Sequence, residues 1–355
     1  MGEPRTPAER GSGPAPKSSL KVAVLGAGDM GGRHVNAWAE LGHEVVSITD
    51  MDQERARELA ARFSVARVCG DYRQALADPE PDVVSICLPL ALHAPAVVLA
   101  AEQGKHVFTE KPLCRTFAEA EEMESAIRKA GVRFGVGFQR NLAEGVGLLR
   151  DWAAEGRFGR PMLFSSDLLQ EVRPKRAMHD RNGNNGPLTD AGCHYYMLWQ
   201  TVFRSRPKVV HAQGRIIAGG RPEIAHMTQL TVDTAVVVIE YESGDVGTFT
   251  ASWGLAAGSH LRGRPDRIIG PRGGAEGETN SCLTRFEEDR VEEVPIERRD
   301  LHKVELGLFA GWIQGGPPYP YGIAEGRQIL AVTQAIFDAI DSGQPVPVPA
   351  AWWSR

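Results

Sequence analysis

The first 138 residues alternate short apolar runs with longer amphipathic runs. The run 82–88 is apolar or small at almost every position, which is typical of a parallel strand covered on both faces. Because helical runs separate the short apolar ones, the pattern predicts strands joined by crossover helices, the arrangement of a doubly wound α/β sheet. Six strands are predicted, over residues 21–25, 44–49, 66–69, 82–88, 106–110 and 133–138.

From residue 139 onward, β-rich runs follow one another and the helices are set apart. This grouping predicts an α+β domain built on an open, mostly antiparallel sheet with helices on one face. Helices are predicted over 142–155, 187–203, 301–314 and 324–340, and strands over 162–169, 209–217, 228–241, 246–253, 267–269 and 291–296. We therefore expect one domain over 20–138 and a second over 139–355, after a Pro-, Gly- and Ser-rich tail, residues 1–19, that we expect to be disordered.

Composition narrows the classes of protein and partner. The chain is 42% hydrophobic and 24% charged, as in ordinary globular proteins, and its net charge of −5 favours neither nucleic acid nor an anionic membrane as a partner. No apolar run approaches the roughly 18 residues that a membrane span needs. The five cysteines are widely spaced without a Cys-x-x-Cys pair, which predicts neither a disulfide framework nor a metal site. We expect reduced thiols in a cytoplasmic protein.

A glycine-rich turn connects the first predicted strand to the first helix. Gly26, Gly28 and Gly31 have the spacing Gly-x-Gly-x-x-Gly. The first glycine permits a tight turn, the second lets the backbone approach a pyrophosphate, and the third lets the helix lie close to the strand. The helix that begins near Asp29 and Met30 then offers free N–H groups to the phosphates. These five residues are therefore predicted to bind a dinucleotide.

The end of the second predicted strand indicates which dinucleotide. Asp50 can accept hydrogen bonds from the ribose hydroxyls and would repel a 2′-phosphate. Met51, not an arginine, follows it, which favours NAD over NADP, although Arg55 is near in sequence. Ligands of such sheets lie at the carboxyl ends of the strands. We therefore expect four further residues at the cofactor: Leu88, Pro89, Glu110 and Lys111.

The helix predicted after Pro187 carries a second group of candidate residues. Its apolar residues recur at helical spacing and form one buried stripe: Leu188, Ala191, Tyr195, Leu198 and Val202. Asp190 and His194 form an i, i+4 pair on an adjacent face. The pair has two interpretations. Acids are favoured in first turns by the helix dipole, so an ordinary helix start is one, and a catalytic pair is the other.

In order and spacing these features resemble the glucose–fructose oxidoreductase and inositol dehydrogenase family (Gfo/Idh/MocA). The resemblance covers residues 20–349 and includes Glu110-Lys111-Pro112, the Gly-Lys-His-Val sequence at 104–107 and the Gly-x-x-Gly-x-Pro sequence at 156–161. It implies a Rossmann domain followed by an α+β domain whose open sheet often forms the subunit interface. A homodimer or homotetramer through the C-terminal sheet is the expectation.

The resemblance also implies roles for individual residues. Lys111, Asp190 and His194 correspond to the catalytic set. Independently of the resemblance, Arg140 lies at the predicted domain junction, where contact with the substrate and a hinge role are both open interpretations. His194 is suited to accept a hydroxyl proton. Lys111 can stabilise a developing alkoxide and, if burial depresses its pKa, share in proton transfer, while Asp190 positions His194 or a substrate hydroxyl. His93 matches a family position near the cofactor, although a helix-start role is the preferred interpretation, because backbone groups at a helix start need partners.

The predicted function is NAD-dependent interconversion of a secondary alcohol and a ketone on a sugar, inositol or related polyol. Two alternatives stay open: an NAD-dependent glycoside-cleaving enzyme with transient oxidation, and a non-enzymatic NAD-binding protein. The basic loop 173–181 allows two interpretations, an anion-binding loop for an acidic substrate or a solvated lid.

Overall fold

The computed structural model describes residues 19–353. The N-terminal tail predicted to be disordered lies, apart from Ser19, outside the described residues. The chain forms two sheets, which share one continuous hydrophobic core.

The first sheet has six strands, all parallel, in the order β3-β2-β1-β4-β5-β6. The strands are β1 (Lys21–Leu25), β2 (Glu44–Thr49), β3 (Arg67–Cys69), β4 (Val83–Ile86), β5 (His106–Glu110) and β6 (Phe134–Gly137). The helices are α1 (Asp29–Glu40), α2 (Gln53–Phe63), α3 (Tyr72–Ala77), α4 (His93–Glu102) and α5 (Phe117–Ala130). The predicted doubly wound sheet is confirmed.

Local sequence explains where several of these helices begin and end. Asp52 and Asp71 lie just before α2 and α3, and their carboxylates accept hydrogen bonds from N–H groups of the first turn. The Thr116 side chain does the same for α5, and Gly131 ends that helix at φ 67°, a conformation that favours glycine. These caps satisfy backbone groups that have no partner within the helix.

The second sheet has nine strands in the order β14-β13-β12-β11-β7-β10-β9-β8-β15. Its strands are β7 (Leu163–Glu171), β8 (Pro207–Arg215), β9 (Thr234–Tyr241), β10 (Val246–Leu255), β11 (Asp266–Gly270), β12 (Gly273–Glu278), β13 (Cys282–Glu287), β14 (Arg290–Pro295) and β15 (Val346–Pro347). Within residues 19–353, β7 and β10 are its one parallel pair. The predicted mostly antiparallel sheet is therefore confirmed.

The helices of this half are α6 (Glu144–Ala154), α7 (Arg176–His179), α8 (Gly186–Asp190), α9 (Gly192–Phe203), α10 (Leu301–Ile313) and α11 (Ile323–Ser342). The last two also contact the first half, since α10 packs on α1 and α11 on α5. In the segment between them, the Tyr319 hydroxyl donates to the Val136 carbonyl oxygen at 3.1 Å. The C-terminal helices thereby tie the two sheets together.

The second half differs from the prediction in several details, and the short elements α7 and β15 are among those that were not predicted. The single helix expected after Pro187 is two helices, α8 and α9, separated at Ala191. Strands β12 and β13 were not predicted, and β12 is rich in glycine because its neighbours approach closely: a Cβ on Gly274 would lie 2.4 Å from the Ile268 carbonyl oxygen. The strand predicted over 228–241 begins only at Thr234.

The two faces of the second sheet differ. Along β9, Val237 and Ile239 are buried on the side where α9 and α11 pack, whereas Val236 is 53% exposed on the other. Leu163 and Ile269, which are opposite each other on β7 and β11, are also exposed. No helix within residues 19–353 is both long enough and apolar enough to cross a membrane.

Candidate active site

The glycine turn between β1 and α1 has the geometry of a phosphate cradle. Gly26 has φ 102°, and a Cβ there would lie 2.4 Å from the Cys87 carbonyl oxygen. A Cβ on Gly31 would lie 1.9 Å from the Gly26 oxygen. By contrast, a Cβ on Gly28 would meet no described atom within 4 Å, so the space in front of the helix N-terminus is open. The turn therefore fits a dinucleotide pyrophosphate.

Asp50 stands beside this turn at the end of β2. Its carboxylate accepts hydrogen bonds from the Ala27 N–H and the Arg55 guanidinium, both at 2.8 Å. Burial raises the pKa of Asp50, but the Ala27 N–H and Arg55 outweigh it, so the pKa lies below its ordinary value. The group is an anion at neutral pH, suited to ribose hydroxyls. Met51, next to it, is 89% exposed.

The remaining predicted cofactor residues surround the same edge of the first sheet. Asp29 is exposed in the first turn of α1 and forms an ion pair with Lys175 of the basic loop at 2.8 Å. Met30 is half-buried, Leu88 is half-buried and Pro89 is exposed. His93 is buried, and its ring nitrogens lie 2.9 Å from the carbonyl oxygens of Leu88 and Pro112. This histidine joins the loops after β4 and β5, which favours the structural interpretation.

Lys111 follows β5 and reaches the second half of the chain. Its Nζ donates to the Asp190 carboxylate at 2.6 Å and to the Asp190 carbonyl oxygen at 2.9 Å. The Lys111 backbone N–H donates to the Glu110 carboxylate at 3.1 Å. Burial lowers the pKa of Lys111, but the attraction of Asp190 outweighs it and the pKa is raised. Proton transfer by Lys111 was expected only if burial depressed its pKa. Because the pKa is raised instead, the side chain is a fixed cation at neutral pH.

His194 lies in the first turn of α9, close to this cation. It is buried, and its Nδ1 has no hydrogen-bond partner among the described residues. Burial, followed by the positive charges of Lys111 and Arg140, lowers the pKa of His194 well below its ordinary value. Asn141 fixes the turn by donating to the His194 carbonyl oxygen at 3.2 Å. The imidazole is therefore neutral at neutral pH and able to accept a proton.

A cavity of about 450 Å³ opens beside His194. Arg140 enters it from the segment after β6, and its Nη1 lies 3.4 Å from the Tyr195 hydroxyl. Tyr195, predicted as part of a buried stripe, thus also contributes to the cavity wall. Three acidic residues also line the cavity: Asp167, Asp266 and Glu278. The volume suits a ligand of the size of a sugar ring.

Asp266 is a half-buried acid of this cavity. It begins β11, where pairing with β7 brings it next to Ser166, whose hydroxyl donates to Asp266 at 2.6 Å. Burial raises the pKa of Asp266 to about 6. This residue was missed at the sequence level, because an acid after Pro265 in a polar segment has no distinguishing pattern.

Comparison with known proteins finds family models that match both parts of the chain. The sequence model of an oxidoreductase family with an NAD-binding Rossmann fold matches residues 20–138, and the Gfo/Idh/MocA C-terminal domain matches residues 146–276. Levoglucosan dehydrogenase of Pseudarthrobacter phenanthrenivorans is 32% identical, in an alignment that covers 92% of this chain and 91% of that enzyme. The chain belongs to the Gfo/Idh/MocA family of oxidoreductases.

One further relative and one solved structure are also similar to this chain. Myo-inositol 2-dehydrogenase of Thermotoga maritima is 25% identical over 336 residues, covering 92% of this chain and 98% of that enzyme. A solved structure of levoglucosan dehydrogenase in complex with NADH and levoglucosan has the same fold, with a TM-score of 0.82, 24% identity, and coverage of 94% of this chain and 100% of that one.

This Gfo/Idh/MocA protein also contains a buried ionisable cluster behind Lys111. It consists of His34, Glu110, His302 and Glu305, whose ligand-type atoms all lie within 4.8 Å of one another. His34 Nε2 lies 3.1 Å from Glu110, and His302 Nδ1 lies 3.2 Å from Glu305. These residue types can bind a transition metal. The expectation of no metal stays a prediction.

Burial controls the charges of this cluster. Burial raises the pKa of Glu305 well above its ordinary value, reinforced by Glu110 and Asp300. Burial also lowers the pKa of His302 to about 4. Burial opposes ionisation of Glu110 too, but the hydrogen bond from His34 and the charge of Lys111 outweigh it, so its pKa is lowered. Glu110 is therefore the cluster's anion, and Glu305 is a neutral acid.

Proposed function

We propose that this protein is an NAD-dependent dehydrogenase that interconverts a secondary alcohol and a ketone on a sugar, inositol or related polyol. The observation that carries the proposal is that Lys111, an ammonium held by Asp190 at 2.6 Å, lies close enough to the neutral imidazole of His194 for its charge to lower the His194 pKa, and that His194 lines a cavity. Lys111 and Asp190 are not among the described residues that line this cavity. The named relatives, which act on inositol and levoglucosan, support this substrate class.

Each of three residues has a chemical role in this proposal. Bound NAD supplies the hydride acceptor. His194 takes the proton of the substrate hydroxyl, and general-base assistance of this kind contributes about 10²–10⁴ in rate. Lys111 stabilises the negative charge that develops on the alcohol oxygen, because its ammonium is held by Asp190 and stays protonated. Asp190 thus positions the lysine rather than the histidine.

NAD is the proposed cofactor in preference to NADP. The Asp50 carboxylate already accepts hydrogen bonds from three N–H donors of the protein, which keep it ionised where a 2′-phosphate would have to lie. Arg55, which could otherwise meet such a phosphate, is engaged with Asp50 at 2.8 Å. A 2′-phosphate would therefore have to break an ion pair and face a like charge.

We further propose a nucleotide domain over 20–138, a substrate domain over 139–355 and a homo-oligomer that forms through the open face of the second sheet. The exposed apolar side chains on that face support the interface: Leu163, Val236 and Ile269. Five unpaired cysteines fit a cytoplasmic location. Sedimentation measurements on the full chain test the assembly, and a monomer at every concentration would contradict it.

The function is tested by the absorbance of reduced nicotinamide in the presence of NAD and a panel of sugars and inositols. We expect NADH formation with at least one neutral polyol. Lys111→Met should bind NAD normally and lose turnover by about 10²–10³, the loss seen when one charge-stabilising donor is removed. Lys21→Met, which removes an exposed lysine paired with Glu80, is the control. Full turnover by Lys111→Met would contradict the assignment.

A further inference from the structure

We infer that Asp266 makes the cavity discriminate against carboxylated sugars and select their uncharged counterparts, by placing a negative charge in the field of Arg140. This inference rests on the proposed function and refines its substrate class. Neither the sequence pattern nor the compared proteins assign a role to this residue.

Strand pairing fixes Asp266 at the cavity wall. Arg267 is opposite Ser165 in the antiparallel β11–β7 pair, so the preceding residue, Asp266, adjoins Ser166. Ser166 is buried and its hydroxyl donates to one Asp266 oxygen at 2.6 Å. This contact orients the carboxyl group in the wall of the cavity. The position of Asp266 is thus fixed by a hydrogen bond from β7, the neighbouring strand of the same sheet.

Apart from Lys111, whose charge is paired with Asp190, Arg140 is the cation that a substrate carboxylate would meet beside His194. Its guanidinium lies 5.9 Å from the centre of the Tyr195 ring and 3.4 Å from the Tyr195 hydroxyl, which places it over one wall of the cavity. Arg140 is near enough to Asp266 for its charge to act on that carboxyl group. The arginine can therefore donate hydrogen bonds to substrate hydroxyls, while its net attraction for an anion is reduced by Asp266.

Two other acids near Asp266 act in the same direction. Asp167, from β7, and Glu278, from β12, line the same cavity and add negative charge near Asp266. Arg264 also lines the cavity, but it is exposed to solvent, where charge interactions are weaker. His194 is neutral at neutral pH. Carboxylates accept hydrogen bonds from vicinal hydroxyls, so this wall suits an uncharged polyol and repels a uronate.

The basic loop does not compensate for this acidity. Lys175 is paired with Asp29 at 2.8 Å, and Arg176 is paired with Asp180 at 2.8 Å. Neither residue is among those that line the cavity of the described chain. An acidic substrate, which the loop sequence suggested as one possibility, therefore gains no support from these two cations.

The discrimination should depend on pH in a defined direction. The carboxyl group of Asp266, with a pKa near 6, is neutral well below that pH and negative above it. A substrate carboxylate with a model-like pKa of about 4 stays ionised throughout that range. The repulsion therefore appears as pH rises through about 6. His194 does not titrate in this window, because its pKa is lowered well below the ordinary histidine value.

The test compares binding of glucose with glucuronate, and of galactose with galacturonate, to the full-length protein loaded with NAD. Calorimetric titration at pH 5 and pH 8 measures binding whether or not turnover occurs. We expect the wild-type preference for the neutral sugar to be greater at pH 8, by on the order of tenfold. In Asp266→Asn, which keeps shape and removes charge, the preference should be smaller and the same at both pH values.

Glu276→Gln is the matched control, because Glu276 lies on the adjacent strand β12 and pairs with Arg267 at 3.1 Å, away from the cavity lining. It should keep the wild-type preference. An unchanged preference in Asp266→Asn, or uronates binding as tightly as neutral sugars in the wild type, would overturn the inference. Failure of both members of each pair to bind would overturn it together with the cavity as a polyol site. Binding without NADH formation would overturn the proposed dehydrogenase function alone.

Discussion

The two halves of this molecule recognise their ligands by different means. In the nucleotide half, the cradle consists of backbone, and its key positions are glycines because a Cβ at Gly26 or Gly31 would overlap a carbonyl oxygen. In the second half, the cavity wall includes charged side chains, among them Arg140 and Asp266. Backbone recognition fixes the class of ligand, whereas a side-chain wall can change its specificity with one substitution. The cofactor should therefore be the conservative part of this enzyme and the substrate the adjustable part.

Lys111 belongs to the first half by sequence, but its side chain is held by the second half. It follows β5 of the parallel sheet, yet both acceptors of its Nζ are on Asp190. Lys111 is part of neither the glycine cradle nor the described lining of the cavity, so its expected effect is on the rate of the reaction. Substitutions at the junction should therefore change turnover, substitutions at the cradle should change cofactor choice, and the two effects should be separable.

The largest expected effect is that of His194→Asn. We expect turnover to fall by about 10²–10⁴, because the general base is lost, while NAD affinity is unchanged. In the wild type, the acid limb of kcat/KM should lie below the ordinary histidine range, since the lowered pKa keeps His194 neutral until the pH is well below 6.5. Steady-state kinetics across pH and a fluorescence titration of NADH measure the two quantities.

His211→Asn is the control, because His211 is exposed on β8 and paired with Glu240. If His194→Asn lost NAD affinity to the same extent as turnover, cofactor binding and turnover would not be separable at this position.

A smaller effect is expected from Asp50→Ser. Hydrogen bonds to a charged group contribute about 1.5–3 kcal/mol, so NAD affinity should fall by roughly one to two orders of magnitude. NADP affinity should rise, because the substitution removes a negative charge and releases Arg55 to meet the 2′-phosphate. Titration with both reduced cofactors measures the change, and Asp289→Ser, in an exposed turn of the second sheet, is the control. A proportional loss of both cofactors would contradict this role of Asp50.

The nucleotide half could be predicted almost completely from sequence because its information is local. Each of its strands appears within about two residues of the predicted range, since short apolar runs and helix caps both act on neighbouring positions. Gly26 to Gly31 is a contiguous turn, and Asp50 reaches it from the adjacent strand.

The substrate half could be predicted only in class. Strands β12 and β13 were missed because glycines at 273, 274 and 277 indicate a loop unless the neighbouring strands are known. The break at Ala191 was missed because the apolar spacing continues through it. Asp266 and Ser166 meet only through the pairing of β11 with β7, and no local pattern records a pairing between segments so far apart in sequence.

The smallest expected effect concerns Glu305, which lies where the two halves meet. Its folded pKa is raised well above the ordinary value by burial. The stability that this group contributes is therefore complete below the unfolded pKa of about 4.5 and is lost as pH rises through the folded pKa. Glu305→Gln keeps a neutral side chain at every pH. It should be more stable than the wild type at pH 8, by roughly 1–3 kcal/mol, and no more stable near pH 4.5.

Thermal unfolding at the two pH values measures this difference, with Glu288→Gln in an exposed turn as the control. A destabilised Glu305→Gln at pH 8 would mean that Glu305 is held as a carboxylate. A divalent cation shared with His34, Glu110 and His302 would hold it so, and metal analysis of the purified protein would detect that ion. The sign of the stability difference at pH 8 thus shows whether Glu305 is protonated or ionised in the folded protein. Metal analysis then shows whether a bound ion accounts for an ionised Glu305.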